Sequence, residues 1–238
     1  MANWASKPAA RTAVLVFAAP RGVELRRRGL PDAMRRIIDL PLDAAEQCGA
    51  DVHVFSTDIT AIAVEVRRRL PVSRLHVQHG GGFGARLTNA VSRLVALGYE
   101  RIIILGRDCP QLSAVDCRRA MRSLDEHRLV IGPNERGGCY LIGLHAQDAP
   151  LLERVQWCAG VDAEQLRRAA NGSVALLRRL RDVHGMADVS AVLSASRRCR
   201  RIARSSASRP RCPRRLNPTR RSDRTIVAPA RAPPRVET

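Results

Sequence analysis

The chain has few aromatic residues, 3% of 238, as three Phe, two Tyr and two Trp. A core made from it must be aliphatic, and the rings that stack single-stranded nucleic acid are missing. Lysine is rarer still, with Lys7 alone. The seven cysteines show no CxxC pair and no regular framework. Such a set reads as free thiols in a reducing compartment. No run approaches the ~20 apolar residues that a membrane span needs. The apolar run Ala13–Ala19 opens a domain-like pattern with no cleavage site after it, so a signal peptide is not expected. A soluble, cytoplasmic protein is the expectation.

What is abundant is arginine. The formal net charge is +19, and from Arg197 to Thr238 there are 14 arginines against only Asp223 and Glu237. Rich also in Pro and Ser, this stretch buries too little apolar surface to offset its ordering entropy. We therefore expect a flexible N-terminus over 1–11, one domain over 12–196 and a disordered tail over 197–238. Arginine charge alone would give salt-dependent, non-specific affinity, and nucleic acid is not an expected partner.

Strand-length apolar runs recur at 12–18, 51–56, 75–78, 101–106, 128–132, 139–144 and 174–180. Several are continuous rather than alternating, as in strands covered on both faces. Between them, Phe83, Leu87, Ala90, Val91, Leu94 and Leu97 follow helical spacing, with Gly98 where a helix ends. Ser113 and Asp116 predict a capped helix, and further helices are predicted over 162–170 and 186–193. The segment 58–70 is ambiguous between helix and strand. This alternation predicts a three-layer α/β fold, a mainly parallel sheet flanked by helices.

Ligands of such sheets collect beyond the carboxyl ends of the strands. There "RIIILGRDCPQL" (101–112) places Asp108, either an Asx-type turn residue or a ligand for a hard divalent cation bridging to phosphates. "QHGGGFGARL" (78–87) sets Gly80, Gly81, Gly82 and Gly84 between a strand and a helix. Glycines there let backbone approach a ligand, although the stretch matches neither the Walker nor the dinucleotide pattern. "GPNERGGCYLIGL" (132–144) is a second Gly-rich turn, a hairpin on its plainest reading. Cys109 reads as a small buried thiol, Trp157 as core, and His76 and His79 as loop residues.

Together with "VLVFAAPRG", "QW" and "LRDV", these stretches resemble, over residues 12–193, the glycosyltransferase-A-like family known as radical-SAM/selenodomain-associated transferases. That family is a distant relative of phospholactate and molybdenum-cofactor nucleotidyltransferases. The resemblance implies a nucleotide-diphosphosugar-transferase fold with a nucleotide in the crevice and a divalent metal, Mg or Mn, at Asp108. It implies that Ala19, Pro20 and Arg21 belong to the nucleotide loop. Gly82 lies in the glycine loop, Gly137 and Gly138 approach the acceptor or sugar, and Asp182 belongs to a late acidic motif. Arg86 is a phosphate contact or an ordinary solvated arginine.

The chain also departs from the pattern. The first loop lacks a lysine, whose charge Arg26, Arg27 or Arg28 would supply. Arg136 stands where an acid precedes Gly-Gly, leaving Glu135 beside it as the acid. His184 replaces the last aspartate of "DVD" and would suit a transition metal such as Mn. The expected function is a metal-dependent glycosyltransferase-like enzyme acting on a nucleoside diphosphate sugar and an unknown acceptor, with Glu135 or Asp182 as base. A nucleotidyltransferase using a triphosphate is the alternative, and a catalytically degenerate nucleotide-binding protein of the same fold is the third reading.

Overall fold

The computed structural model describes residues 10–207. The expected flexible N-terminus and disordered tail fall mostly outside the described residues.

The strands are β1 (Thr12–Ala18), β2 (Asp51–Ser56), β3 (Leu75–Val77), β4 (Arg101–Leu105), β5 (Leu129–Pro133), β6 (Cys139–His145) and β7 (Val174–Leu176). They form one sheet in the order β3-β2-β1-β4-β6-β5-β7. β1 lies parallel between β2 and β4, with Val14 level with Val52 on one side and Ile103 on the other. β6 runs antiparallel to both neighbours, with Ile103 level with Gly143. The expected α/β architecture is thus the observed one, and no helix among the described residues is long and apolar enough to cross a membrane.

The continuous apolar runs have their predicted cause. Val14, Val16, Ile103 and Leu105 face a core with Leu42, Ile62 and Leu124. Ala13, Leu15, Ile102 and Ile104 face another with Leu87, Leu94 and Leu166. The first face carries α2 (Arg35–Glu46), α3 (Ile59–Val66) and α5 (Ala114–Ser123). The second carries α4 (Phe83–Ala96) and α6 (Asp162–Ala169). Ser113 caps α5 as predicted, and Asp116 in the first turn completes a capping box with it.

Several expectations need correction. The ambiguous segment 58–70 is helical over α3, because the Asp58 side chain accepts from the Ala61 N–H at 2.9 Å and caps it. The run 174–180 is strand only to Leu176, where pairing with β5 ends. Two helices were not anticipated: α1 (Arg21–Arg27) and α2, which carries Pro41 internally. Arginine-rich or proline-interrupted, they show little of the usual pattern. Residues 197–207, assigned above to the disordered tail, form α8 behind α7 (Met186–Ala195). Cys199 anchors it, fully buried with its thiol 3.5 Å from the Pro110 carbonyl. Arg11, assigned to the flexible N-terminus, donates to the Leu97 carbonyl and lies over the Tyr99 ring.

His76 is a β3 residue, not a loop residue. It ends a polar chain that starts at Asp51, the first residue of β2. The Tyr99 hydroxyl donates to Asp51 at 2.8 Å. Its oxygen is 2.9 Å from Nε2 of His53, whose Nδ1 is 2.9 Å from Nε2 of His76. With Tyr99 donating to Asp51, the consistent pattern has His53 neutral, donating through Nε2 and accepting at Nδ1. Burial first, then His76, pushes the His53 pKa down to about 4 from 6.5. The folded chain therefore binds fewer protons than the unfolded one between these values. Stability is complete above pH 6.5 and falls as pH drops toward 4, by on the order of 2 kcal/mol. Urea unfolding at stepped pH should show this decline in the wild type and a flatter one in His53→Gln. Parallel profiles would rule out His53 as the cause.

Candidate functional site

Strand β4 ends in the sequence Gly106-Arg107-Asp108-Cys109-Pro110, and Gly106 has a steric reason. A Cβ there would sit 2.9 Å from Oδ1 of Asp108, so only glycine lets the carboxyl fold back against the strand end. Oδ1 of Asp108 is buried and has no hydrogen-bond partner. Burial raises the Asp108 pKa, partly opposed by the Arg28 guanidinium. The carboxyl lines a cleft of about 540 Å³ that also takes in Ala18, Ala19, Leu105 and His184. The cleft opens at the carboxyl ends of β1 and β4, where the strand order reverses, and its size suits a small-molecule ligand.

Asp108 meets Asp182 and His184 here, Asp182 lying 74 residues further along the chain. The Val183 N–H donates to the Asp108 carbonyl at 2.7 Å. Both carboxylate oxygens of Asp182 are occupied, Oδ1 by Arg136 at 2.7 Å and Oδ2 by Nε2 of His184 at 2.8 Å. Arg136 also reaches Asp188 of α7 at 3.0 Å. The arginine in the acid's place thus closes an ion cluster over Asp182. Glu135 pairs instead with Arg181 at 2.7 Å and does not line the cleft.

The first loop divides. Ala19 lines the cleft, while Pro20 begins α1. Arg21 turns away, its Nε 3.0 Å from Asp39. Arg26 is exposed and outside the cleft, whereas Arg27 and Arg28 line it. Glu24 bridges loop and helix, accepting from the Ala19 N–H at 3.1 Å and pairing with Arg28. Behind the loop, Arg107 is buried: it donates to the Ala19 carbonyl at 3.1 Å and the Ile38 carbonyl at 3.3 Å. It also pairs with Asp39 at 3.0 Å and Glu65 at 3.2 Å.

Gly82 is the N-cap of α4 and lies outside the cleft. Arg86, one turn on, lines it, and its buried Nε has no partner. Gly137 and Gly138 belong to the β5–β6 hairpin, whose turn is held by Asn134 Oδ1 accepting from Arg136 and Gly138. Gly137 has φ +84°, and a Cβ there would lie 1.9 Å from the Gly160 carbonyl oxygen. It lines a separate hollow of about 290 Å³.

Cys109 is a buried thiol, as expected, its pKa pushed up by burial. Trp157 packs on the core as expected, yet also lines the cleft beside Phe83 and Phe17. Sequence reasoning passed over this aromatic wall, together with Glu24 and Arg107. The sequence carries no signal for the wall, since Phe17, Phe83, Tyr140 and Trp157 are far apart in the chain and only the fold brings them to one cleft.

Among the described residues no group of three or more His, Cys, Asp or Glu side chains could hold a metal ion. The orphaned Oδ1 of Asp108 offers one hard oxygen donor. His184, whose Nε2 is taken up by Asp182, leaves Nδ1 for a second. Such a set fits an ion completed by ligand phosphates and water, as Mg²⁺ commonly is, and does not fit a closed protein cage.

The fold has many solved counterparts. The "putative nucleotide-diphospho-sugar transferase" of Desulfovibrio desulfuricans G20 is 19% identical, with a TM-score of 0.71 over 83% of this chain and 96% of that one. A nucleotidyl transferase from Methanothermobacter is 18% identical, with a TM-score of 0.56 over 82% and 99%. Rv0371c of Mycobacterium tuberculosis H37Rv, solved in complex with manganese, is 21% identical, with a TM-score of 0.54 over 78% and 99%. These likenesses establish the fold as that of the nucleotide-diphospho-sugar and nucleotidyl transferases. No protein of curated function matches the chain. A family model does match residues 41–159, half of the chain, and by that match the protein belongs to DUF2064, a family of uncharacterized proteins conserved in bacteria.

Proposed function

We propose that the cleft binds the diphosphate of a nucleotide or nucleotide sugar through a divalent metal ion held by Asp108, and that the protein is a cytoplasmic, metal-dependent transferase of the glycosyltransferase type. The single observation that carries this reading is the buried, partnerless Oδ1 of Asp108. Leaving a carboxylate oxygen unsatisfied costs about 1–3 kcal/mol. Glu46 and Asp148 also hold one such oxygen, but each pairs with an arginine through the other, whereas Asp108 has no ion pair among the described residues. The fold of the counterparts and the manganese complex among them support it.

When bound, the ion would offset the charge that develops on the leaving phosphate. The chain's own groups do the rest. Arg28 and Arg86, both in the cleft, offset phosphate charge, and the Ala19–Arg21 loop, held from behind by Arg107, shapes the nucleotide wall. Asp182, with both oxygens occupied, orients His184 through Nε2 and leaves Nδ1 as ligand or base. Glu135, Arg26, Gly82, Gly137 and Gly138 are not among the residues lining the cleft and have no part in this reading. The arginines Arg27, Arg28 and Arg86 in the cleft favour a nucleoside triphosphate as the second reading, a nucleotidyl transfer. The Arg136 cluster over Asp182 favours a third, nucleotide binding without turnover.

Calorimetric titration of the full chain tests the shared claim. With so few protein donors, Mn²⁺ alone should bind weakly, and UDP, GDP or CTP should bind markedly more tightly in its presence. Failure of all three nucleotides to bind with Mn²⁺ would falsify the proposal.

A further inference from the structure

Three half-buried or exposed rings meet at the mouth of the cleft. Phe83 is 37% exposed, its centroid 5.3 Å from Phe17 and 5.7 Å from Trp157. Trp157 is fixed in place. Its Nε1 donates to the Leu152 carbonyl at 3.0 Å, and its ring lies on Gly84 so closely that a Cβ there would be 2.6 Å from Cδ1. A glycine in the first turn of α4 weakens that helix by roughly 0.5–1 kcal/mol relative to alanine. It is tolerated here because only glycine lets the indole lie against the helix.

An aliphatic core does not require this wall. The chain has three Phe, two Tyr and two Trp, and four of them line one cleft, Phe17, Phe83 and Trp157 beside the fully buried Tyr140. Beside the wall, Arg86 brings a buried Nε without a partner, and among the described residues no carboxylate pairs with it. Phe83 and Trp157 are inclined at 51° to one another, so the shelf is an angled corner in which a flat ring lies on one face with its edge toward the other. The unpaired guanidinium beside it suits an anion attached to that ring. Because the Trp157 indole is already held in place, stacking on it costs little further ordering.

We infer that the Phe83–Trp157 shelf receives the nucleobase of the cleft's ligand, making these two residues, with Gly84 as the seat of Trp157, determinants of nucleotide affinity. This rests on the nucleotide reading above and goes beyond it, since a site that held only the metal and diphosphate would not need the shelf.

The test uses the full chain carrying Trp4→Phe, so that Trp157 is the single indole, with Mn²⁺ and either GDP, UDP, CTP or inorganic pyrophosphate. The nucleotides should change Trp157 emission, and pyrophosphate should not. Trp157→Leu should weaken nucleotide binding about tenfold and leave pyrophosphate binding unchanged. Gly84→Ala, which displaces the ring without removing it, should behave like Trp157→Leu. Trp157→Phe, which keeps a ring, should restore most of the affinity and excludes a merely unfolded variant as the explanation. Nucleotide affinity equal in wild type and Trp157→Leu overturns this inference while the metal–nucleotide reading stands. That is also the outcome if the shelf serves an acceptor. Nucleotides that bind no better than pyrophosphate overturn it in the same way. No nucleotide binding by the wild type overturns both.

Discussion

Asp108→Asn is expected to make the protein more stable while removing what the cleft does. Asp108 is half-buried, its Oδ1 is fully buried with no partner, and desolvation raises its pKa above the ordinary 3.8. A raised folded-state pKa means that the folded chain holds the proton more tightly than the unfolded one. The ionised form therefore costs stability at every pH above the raised value, and that cost disappears below pH 3.8. An amide of the same shape carries no charge to desolvate. The variant should gain about 1–3 kcal/mol near neutral pH, with the gain shrinking to nothing in acid. Metal-dependent nucleotide affinity should fall at least about 100-fold, the scale of losing a preorganised electrostatic contact. Thermal unfolding at pH 8 and pH 3.5, run beside calorimetry, reads both effects. If Asp108→Asn were less stable at pH 8 and bound nucleotide as before, Asp108 would be a turn residue and nothing more.

The opposite result is expected one residue earlier. The Arg107 side chain is 2% exposed and pairs with Asp39 and Glu65, themselves 5% and 12% exposed. Arg107→Met keeps the volume and removes the charge. Asp39 retains Arg21 and Arg36, but Glu65 is left with the Arg21 N–H as its only remaining hydrogen-bond donor among the described residues. Breaking a buried pair from one side costs about 3–5 kcal/mol, which lowers Tm by roughly 10 °C in a domain of this size. The Ala19 carbonyl also loses its donor, so the first loop should loosen along with the fold. Adding Glu65→Gln should recover part of the loss, because the stranded charge is gone. A loss under about 1 kcal/mol for Arg107→Met would mean that water or a rearranged arginine takes its place.

These two neighbours show what could and could not be read from the residues in order. Asp108 was legible: four apolar residues, a glycine and then an acid mark a strand end, and strand ends in parallel sheets face ligands. Arg107 looks equally exposed in the same reading. Its burial depends on Asp39 of α2 and Glu65 of α3, helices whose apolar faces are interrupted by Pro41 or easily confused with a strand. The late acidic motif behaved similarly. Asp182 was named as a metal-side acid, yet its oxygens are taken by Arg136 and His184. Arg136 comes from a hairpin 46 residues earlier, a separation over which spacing carries no signal.

The sequence by itself determined the sheet, its mainly parallel sense and the position of its carboxyl-end crevice. Those follow from local quantities, namely continuous apolar runs, a helical repeat, capping residues and glycine punctuation. Only the tertiary structure decided which charges stay free in that crevice. Pairing is a matter of distance between side chains remote in sequence, and each ion pair formed elsewhere in the fold removes one candidate. Arg21, Arg107, Arg136, Glu135 and Asp182 are spent on one another or on their neighbours. Among the described residues Asp108 keeps a buried Oδ1 and Arg86 a buried Nε without a partner, and the cleft's chemistry rests on them for that reason.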